Sequence, residues 1–266
     1  MRITIMGSGG VGGYFGGRLA QAGHEVTFVA RGAHLQALRK HGLRVHSPLG
    51  DLHLPQVRAV ENPGEVRAAD FVLFAVKLWD TEDAAQSLWP LLGDDTVVVS
   101  FQNGVVKDDI LRKALGARHV AGGVGYIAAS IESPGLIRHN GDMQRLVFGE
   151  FDGHESTRLK TFAAACTEAG ITNELSPRIR HAQWEKFVFL VGLSATTTLA
   201  RLPNGPIRNH PRAHAFLHDV MDEVVKVARA EGVPLPPEYA ENRLAFAEGL
   251  PETMTSSMHH DLERGN

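Results

Sequence analysis

Residues 1–31 read MRITIMGSGGVGGYFGGRLAQAGHEVTFVAR, and this stretch decides the fold. Ile3 to Met6 is a short, largely apolar run that predicts a buried strand. Gly7, Gly9 and Gly12 follow in the G-x-G-x-x-G spacing. A helix-like segment runs to Ala22, breaks at Gly23, and gives way to a second strand from Val26 to Ala30. This is the first β-α-β unit of a dinucleotide-binding fold. Gly7 permits the tight turn, Gly9 lets a pyrophosphate approach the backbone, and Gly12 lets the helix pack closely on the strand. Gly7, Ser8, Gly9, Gly10, Val11 and Gly12 are therefore candidate cofactor-binding residues, with phosphates on unpaired N–H groups at the positive end of the helix dipole.

The spacing alone is a weak signal in a chain with 28 glycines. Its place between a strand pattern and a helix pattern is what gives it force. The end of the second strand adds a cofactor preference. NAD-binding chains carry Asp or Glu there, roughly 20 residues past the glycines. This chain has Ala30 and Arg31. An arginine suits a 2′-phosphate and favours NADP(H); an ordinary surface arginine is the other reading.

A chain of 266 residues can bury a substantial core in two domains. Its 43% apolar and 21% charged residues are ordinary for a soluble protein. A net charge of −3 argues against a general nucleic-acid binder. The single cysteine, Cys166, excludes an intrachain disulfide and fits a reducing cytoplasm. It sits in the helical pattern FAAACTEAG, where a packed thiol is expected rather than a nucleophile. With a strand starting at once, no secretory leader is expected, and no apolar run reaches the roughly 18 residues of a membrane span.

Beyond Arg31 the patterns predict a helix over 33–41 and a hairpin of 43–46 with 52–54. Phe71 to Val76 reads as a strand buried on both faces. A helix from Asp80 to Trp89, a strand from Thr96 to Phe101 and a helix from Gly104 to Leu115 follow. His119 to Ala129 and Leu136 to Gly149 read as long antiparallel partners at the sheet edge. A helix over 155–169 and a short strand over 171–174 complete the half. At Ser176-Pro177 the alternation stops and helix patterns take over. The expectation is an α/β protein: residues 1–176 a Rossmann-type, mostly parallel sheet with helices, residues 177–266 an all-helical domain. Helices are expected over 178–199, 211–231 and 237–248, with another starting near 254–256. A loop with Pro203, Gly205 and Pro206 separates the first two.

Phe187 to Ala200 carries no charge, as in a buried helix. Lys186 stands at its edge beside Trp184 and Phe187. A lysine partly removed from water shifts towards proton-transfer chemistry; a snorkelling lysine covering apolar surface is the alternative. His210, His214 and His218 recur every four residues, with Asp222 one turn on. They fall on the polar side of their helix with no third ligand type from elsewhere, so no metal site is expected. His259 and His260 read as a solvated or packed pair.

Five motifs occur in order: the glycine turn, Ala75-Val76-Lys77, Gln102-Asn103-Gly104, Trp184-Glu185-Lys186, and SSMHHDL over Ser256 to Leu262. Together they resemble the ketopantoate reductase family, the NADPH-dependent 2-dehydropantoate 2-reductases that supply (R)-pantoate for pantothenate biosynthesis. The resemblance implies a Rossmann domain, a helical domain and an active site in the cleft between them. It implies that Lys186 is the general acid, that Asn103 lies beside nicotinamide and substrate, that Lys77 serves the cofactor side, and that Ser257 contacts the substrate carboxylate. Taken singly, these residues also read as a solvated loop lysine at 77, an Asn-Gly turn at 103 and a helix cap at 257.

Two departures bear on substrate. The family carries asparagines one and two helical turns after its lysine; this chain has Leu190 and Ser194. These share a helix face with Lys186 and are candidate substrate-binding positions. The family also continues several turns beyond Leu262, with an acidic residue just past Asn266, so a truncated helical domain is expected. The alternatives are a reductase of a different 2-oxo acid and an NADP(H)-binding sensor without turnover. A 3-hydroxy-acid dehydrogenase fits the Gln102-Asn103-Gly104 and Ser256-Ser257-Met258 segments less well. Met258 and Leu262, apolar on the last helix, lead to the expectation of a homodimer.

Overall fold

The computed structural model describes residues 1–265, in two compact units, Met1–Ile179 and Arg180 onward. The first unit contains β1 (Arg2–Met6), α1 (Gly10–Gln21), β2 (Glu25–Val29), α2 (Gly32–His41), β3 (Leu43–His46), β4 (Leu52–Leu54) and β5 (Arg58–Val60). It continues with β6 (Ala69–Phe74), α3 (Thr81–Gln86), β7 (Leu92–Ser100), α4 (Lys107–Leu115), β8 (Val120–Ser133), β9 (Leu136–Gly149), α5 (Thr157–Glu168) and β10 (Thr172–Leu175).

The strands form one sheet in the order β4-β3-β9-β8-β7-β6-β1-β2-β5, with β10 also beside β9. From β5 through β2, β1, β6 and β7 to β8 every neighbouring pair is parallel. This is the doubly wound order, and its direction reverses between β1 and β6. Ligands of such sheets sit at the carboxyl ends of the strands beside that reversal.

The strands β8 and β9 are antiparallel partners as expected, but they are not at the edge. The strand β8 pairs with β7, and β9 pairs with β3 and β10. Buried residues at both ends of β9, Leu136 and Ile137 and then Leu146 to Phe148, call for neighbours on both sides. Local alternation does not say which strands these are. The helix expected over 80–89 is shorter: α3 ends at Gln86, with a one-turn 3-10 helix on each side, Leu78–Asp80 and Trp89–Leu91. The helix expected from Gly104 starts at Lys107, because Gly104 holds φ +98°. The expected loop around Pro203 contains a short helix instead.

Helix α1 is wedged between two parts of the sheet. A Cβ at Gly16 would lie 2.7 Å from Ile5 and Phe28, whereas one at Gly17 would lie 2.8 Å from Leu52. Adjacent glycine stripes let the helix touch β1 and β2 with one face and β3 and β4 with the next. On the sheet, Phe162 of α5 stacks on Phe71 with ring centroids 3.5 Å apart.

The second unit is helical: α6 (Ile179–Ala200), whose first residue is the last of the first unit, then α7 (Asn204–Asn209), α8 (Pro211–Ala230), α9 (Tyr239–Glu248) and α10 (Ser257–Arg264). Gly192 of α6 admits Met221 of α8, which would lie 2.7 Å from a Cβ there. Phe189 of α6 meets Phe246 of α9 edge-on at 5.1 Å. The buried Asn204 of α7 donates to the Ala247 carbonyl at 2.9 Å. Among the described residues no helix is long and apolar enough to cross a membrane.

Candidate active site

The glycine turn leaves β1 at the reversal point. Gly7 has φ +92°, and a Cβ there would lie 2.7 Å from the Val76 nitrogen. Both the conformation and the contact with the chain leaving β6 require glycine. The Ala75 N–H donates to the Met6 carbonyl at 2.8 Å, so the two strand ends are joined. Ser8 is buried, and its hydroxyl donates to the Val29 carbonyl at 2.9 Å; it ties the turn to β2. A Cβ at Gly10 would lie 2.1 Å from the Ala129 carbonyl oxygen, and one at Gly12 2.1 Å from that of Gly7.

Gly9 differs from these. A Cβ there would meet nothing within 4 Å, so the space in front of it is open. It is the N-cap of α1 and brings no side chain to the first-turn N–H groups. Open space before uncapped amides at a helix N-terminus fits a dinucleotide pyrophosphate.

Arg31 follows β2 as the N-cap of α2, and its Nη2 lies 2.9 Å from Asp80 Oδ2. Lys77 follows β6, with Nζ 5.5 Å from the Trp79 ring centroid. Asn103 follows β7 and is exposed. The structure joins the last two segments through a residue to which the sequence assigned no role. Gln102 is buried, and its Nε2 donates to the Val76 carbonyl and to Thr81 Oγ1, each at 2.9 Å. Its Oε1 accepts from Ser100 Oγ at 2.9 Å. Beneath it, the fully buried Lys107 donates to the Ser100 carbonyl at 2.9 Å, the Gly123 carbonyl at 3.0 Å and Asp108 Oδ1 at 3.1 Å. Burial pushes the Lys107 ammonium below the ordinary lysine range, against the pull of Asp108. The alternation of a strand pattern carries no trace of such bonds; a Gln and a Lys on either side of an Asn-Gly were the available signal.

In the second unit Lys186, Leu190 and Ser194 lie four residues apart on α6, the first two half-buried and Ser194 buried. Ser256 rather than Ser257 caps α10, accepting from the His259 N–H at 3.1 Å. Its hydroxyl is also 3.1 Å from Thr197 Oγ1, and buried His259 donates from Nδ1 to the Thr197 carbonyl at 2.8 Å. The start of α10 is thereby fastened to α6 one turn beyond Ser194. Ser257, next to this anchor, is exposed. His259 is packed and His260 solvated, the latter 2.9 Å from Thr255 Oγ1. His214 lies 2.9 Å from Glu248 Oε1.

A parallel sheet of this order, with an open glycine cradle at its reversal point, defines the class of Rossmann-type dinucleotide-binding proteins. Comparison with known proteins narrows the class. The family described as Ketopantoate reductase PanE/ApbA matches residues 3–153, and its C-terminal counterpart matches residues 178–266. The chain is 32% identical to 2-dehydropantoate 2-reductase from Halobacterium salinarum, over all of this chain and 87% of that one. It is 30% identical to an uncharacterized oxidoreductase, YkpB, of Bacillus subtilis, with the same coverage. A crystal structure of a PanE/ApbA family ketopantoate reductase from Ralstonia eutropha superposes with a TM-score of 0.90 at 39% identity, over all of this chain and 86% of that one. The chain belongs to the ketopantoate reductase family, NADP-dependent oxidoreductases acting on a CH–OH group.

Proposed function

We propose that this chain catalyses the NADPH-dependent reduction of 2-dehydropantoate to (R)-pantoate. The observation that carries the reading is Lys186, half-buried at the head of the uncharged run of α6, with Leu190 and Ser194 on its face. NADPH supplies the hydride. The amides of residues 9–12 hold the pyrophosphate, Arg31 the 2′-phosphate, and the Gln102-braced loops present Lys77 and Asn103 to the cofactor and the carbonyl. As the carbonyl carbon takes the hydride, negative charge gathers on its oxygen. The Lys186 ammonium stabilises that charge and delivers the proton, so that C=O becomes CH–OH. Ser257 contacts the substrate carboxylate. The test is NADPH oxidation, followed by absorbance, with 2-dehydropantoate. Lys186→Ala is expected to lower kcat by about 10²–10⁴-fold. Unchanged turnover in that variant would remove Lys186 from the chemistry.

Leu190 supports a second reading. It offers no hydrogen bond and adds apolar surface on the Lys186 face, which suits a 2-oxo acid with a more apolar side chain. A panel of 2-oxo acids separates the two, and NADPH binding without oxidation of any of them identifies a sensor. A cytoplasmic setting accords with the single buried thiol. Met258 and Leu262, 54% and 42% exposed on α10, support self-association. Light scattering that shows only monomer would remove the dimer.

A further inference from the structure

The pairing of Arg31 with Asp80 bears on which nicotinamide cofactor the chain accepts. The two residues are 49 positions apart and leave different strands, β2 and β6. Arg31 is 79% exposed, and Asp80 is 31% exposed. The Asp80 N–H donates to the Lys77 carbonyl at 3.0 Å, so its backbone is fixed in the one-turn helix that starts the β6 crossover.

A guanidinium beside a carboxylate is a weaker phosphate site than a guanidinium alone. One of its donors is engaged, and the charge of the pair sums to zero. A 2′-phosphate that reaches Arg31 must also approach Asp80, and like charges repel. An unphosphorylated ribose meets the opposite situation: its 2′-hydroxyl can donate to the Asp80 carboxylate. Chains that prefer NAD carry such an acid at the end of the second strand, where this chain has Ala30 and Arg31. Here the acid arrives from the β6 crossover instead.

We propose that Asp80 is a cofactor-specificity residue: it holds down the preference for NADPH and provides the acceptor that lets the chain use NADH as well. The proposal rests on the reading of Arg31 as the 2′-phosphate ligand.

The test is equilibrium binding to the wild-type chain, Asp80→Asn and Arg31→Gln. Calorimetry with 2′,5′-ADP and with 5′-ADP reads the phosphate contribution without catalysis, and fluorescence titration reads NADPH and NADH. Thermal melts check that both surface variants stay folded. Asp80→Asn is expected to tighten 2′,5′-ADP and NADPH by about fivefold and to weaken NADH, so that the ratio of the two Kd values moves towards NADPH. Arg31→Gln is expected to weaken 2′,5′-ADP by about tenfold with little change for 5′-ADP. If Arg31→Gln weakens 2′,5′-ADP but Asp80→Asn leaves the Kd ratio unchanged, the role of Asp80 is overturned and that of Arg31 stands. If Arg31→Gln leaves 2′,5′-ADP unchanged, the phosphate reading falls and the proposal falls with it.

Discussion

Gln102 donates an amide proton to the Val76 carbonyl at 2.9 Å, and this bond ties the loop that carries Asn103 to the loop that carries Lys77. The second amide proton goes to Thr81 Oγ1 and the side-chain oxygen accepts from Ser100, so the buried side chain is fully used. Gln102→Leu leaves the Val76 carbonyl and the Ser100 hydroxyl short of partners. The expected loss is about 1–3 kcal/mol in urea unfolding, with weaker NADPH binding by fluorescence titration. A stable variant with unaltered affinity would show that the two loops are positioned independently.

Lys107 occupies the gap where β8 leaves β7, beyond the paired Val99 and Ala121. Lys107→Met removes the buried ammonium from the Ser100 and Gly123 carbonyls and breaks its pair with Asp108, at a cost of about 3–5 kcal/mol. The pH dependence has a definite sign. Because burial lowers the native pKa, the unfolded chain binds this proton more tightly. Wild-type stability therefore gains a rising component as pH increases from the depressed native value to the ordinary 10.5. Urea titrations on the alkaline side should show this component in the wild type and not in Lys107→Met.

Glu150 is buried and receives both arms of Arg158, at 2.8 and 2.9 Å, and the Ser156 hydroxyl at 2.6 Å. Burial raises its pKa, but these bonds outweigh burial and hold the carboxyl below the usual range. Its stabilisation is present above the unfolded-state pKa and disappears as pH falls through the native value. Glu150→Gln should lose about 1 kcal/mol at neutral pH and shift the acid-unfolding midpoint, followed by circular dichroism, towards higher pH.

Gly9 and Gly12 separate folding from binding. Gly12→Ala forces a methyl group against the Gly7 carbonyl, 2.1 Å away, and is expected to destabilise the chain by several kcal/mol. Gly9→Ala meets open space, so its melting temperature should match the wild type while NADPH affinity falls. Equal losses of stability in the two variants would contradict the open cradle.

Cys166 is buried, and burial pushes its thiol well above the ordinary range. Ellman's reagent should leave the native protein unlabelled and react with one thiol once urea unfolds it. Labelling that precedes the spectroscopic transition would place α5 outside the cooperative core.

Residue types and short-range spacing carried much of this fold. The Gly7, Gly9 and Gly12 spacing, the alternation of strand and helix, and the uncharged run from Phe187 are features of neighbouring residues, so the β-α-β opening, the mostly parallel sheet and the helical second half were legible in them. The helix cap near Ser257 was also foreseeable, although the capping residue is Ser256. The short strand β5 and helix α7 escaped because each is too brief to show a period.

By itself, then, the sequence determined the class of fold, the glycine cradle and the family. Tertiary structure alone decided that β8 and β9 lie inside the sheet, that Gln102 and Lys107 brace the Asn103 loop, and that Arg31 is paired with Asp80. The reason is range. Periodicity reports which face of an element is buried, whereas a hydrogen bond or ion pair depends on groups distant in the chain coming within about 3 Å. No pattern around Arg31 announces a carboxylate 49 residues away.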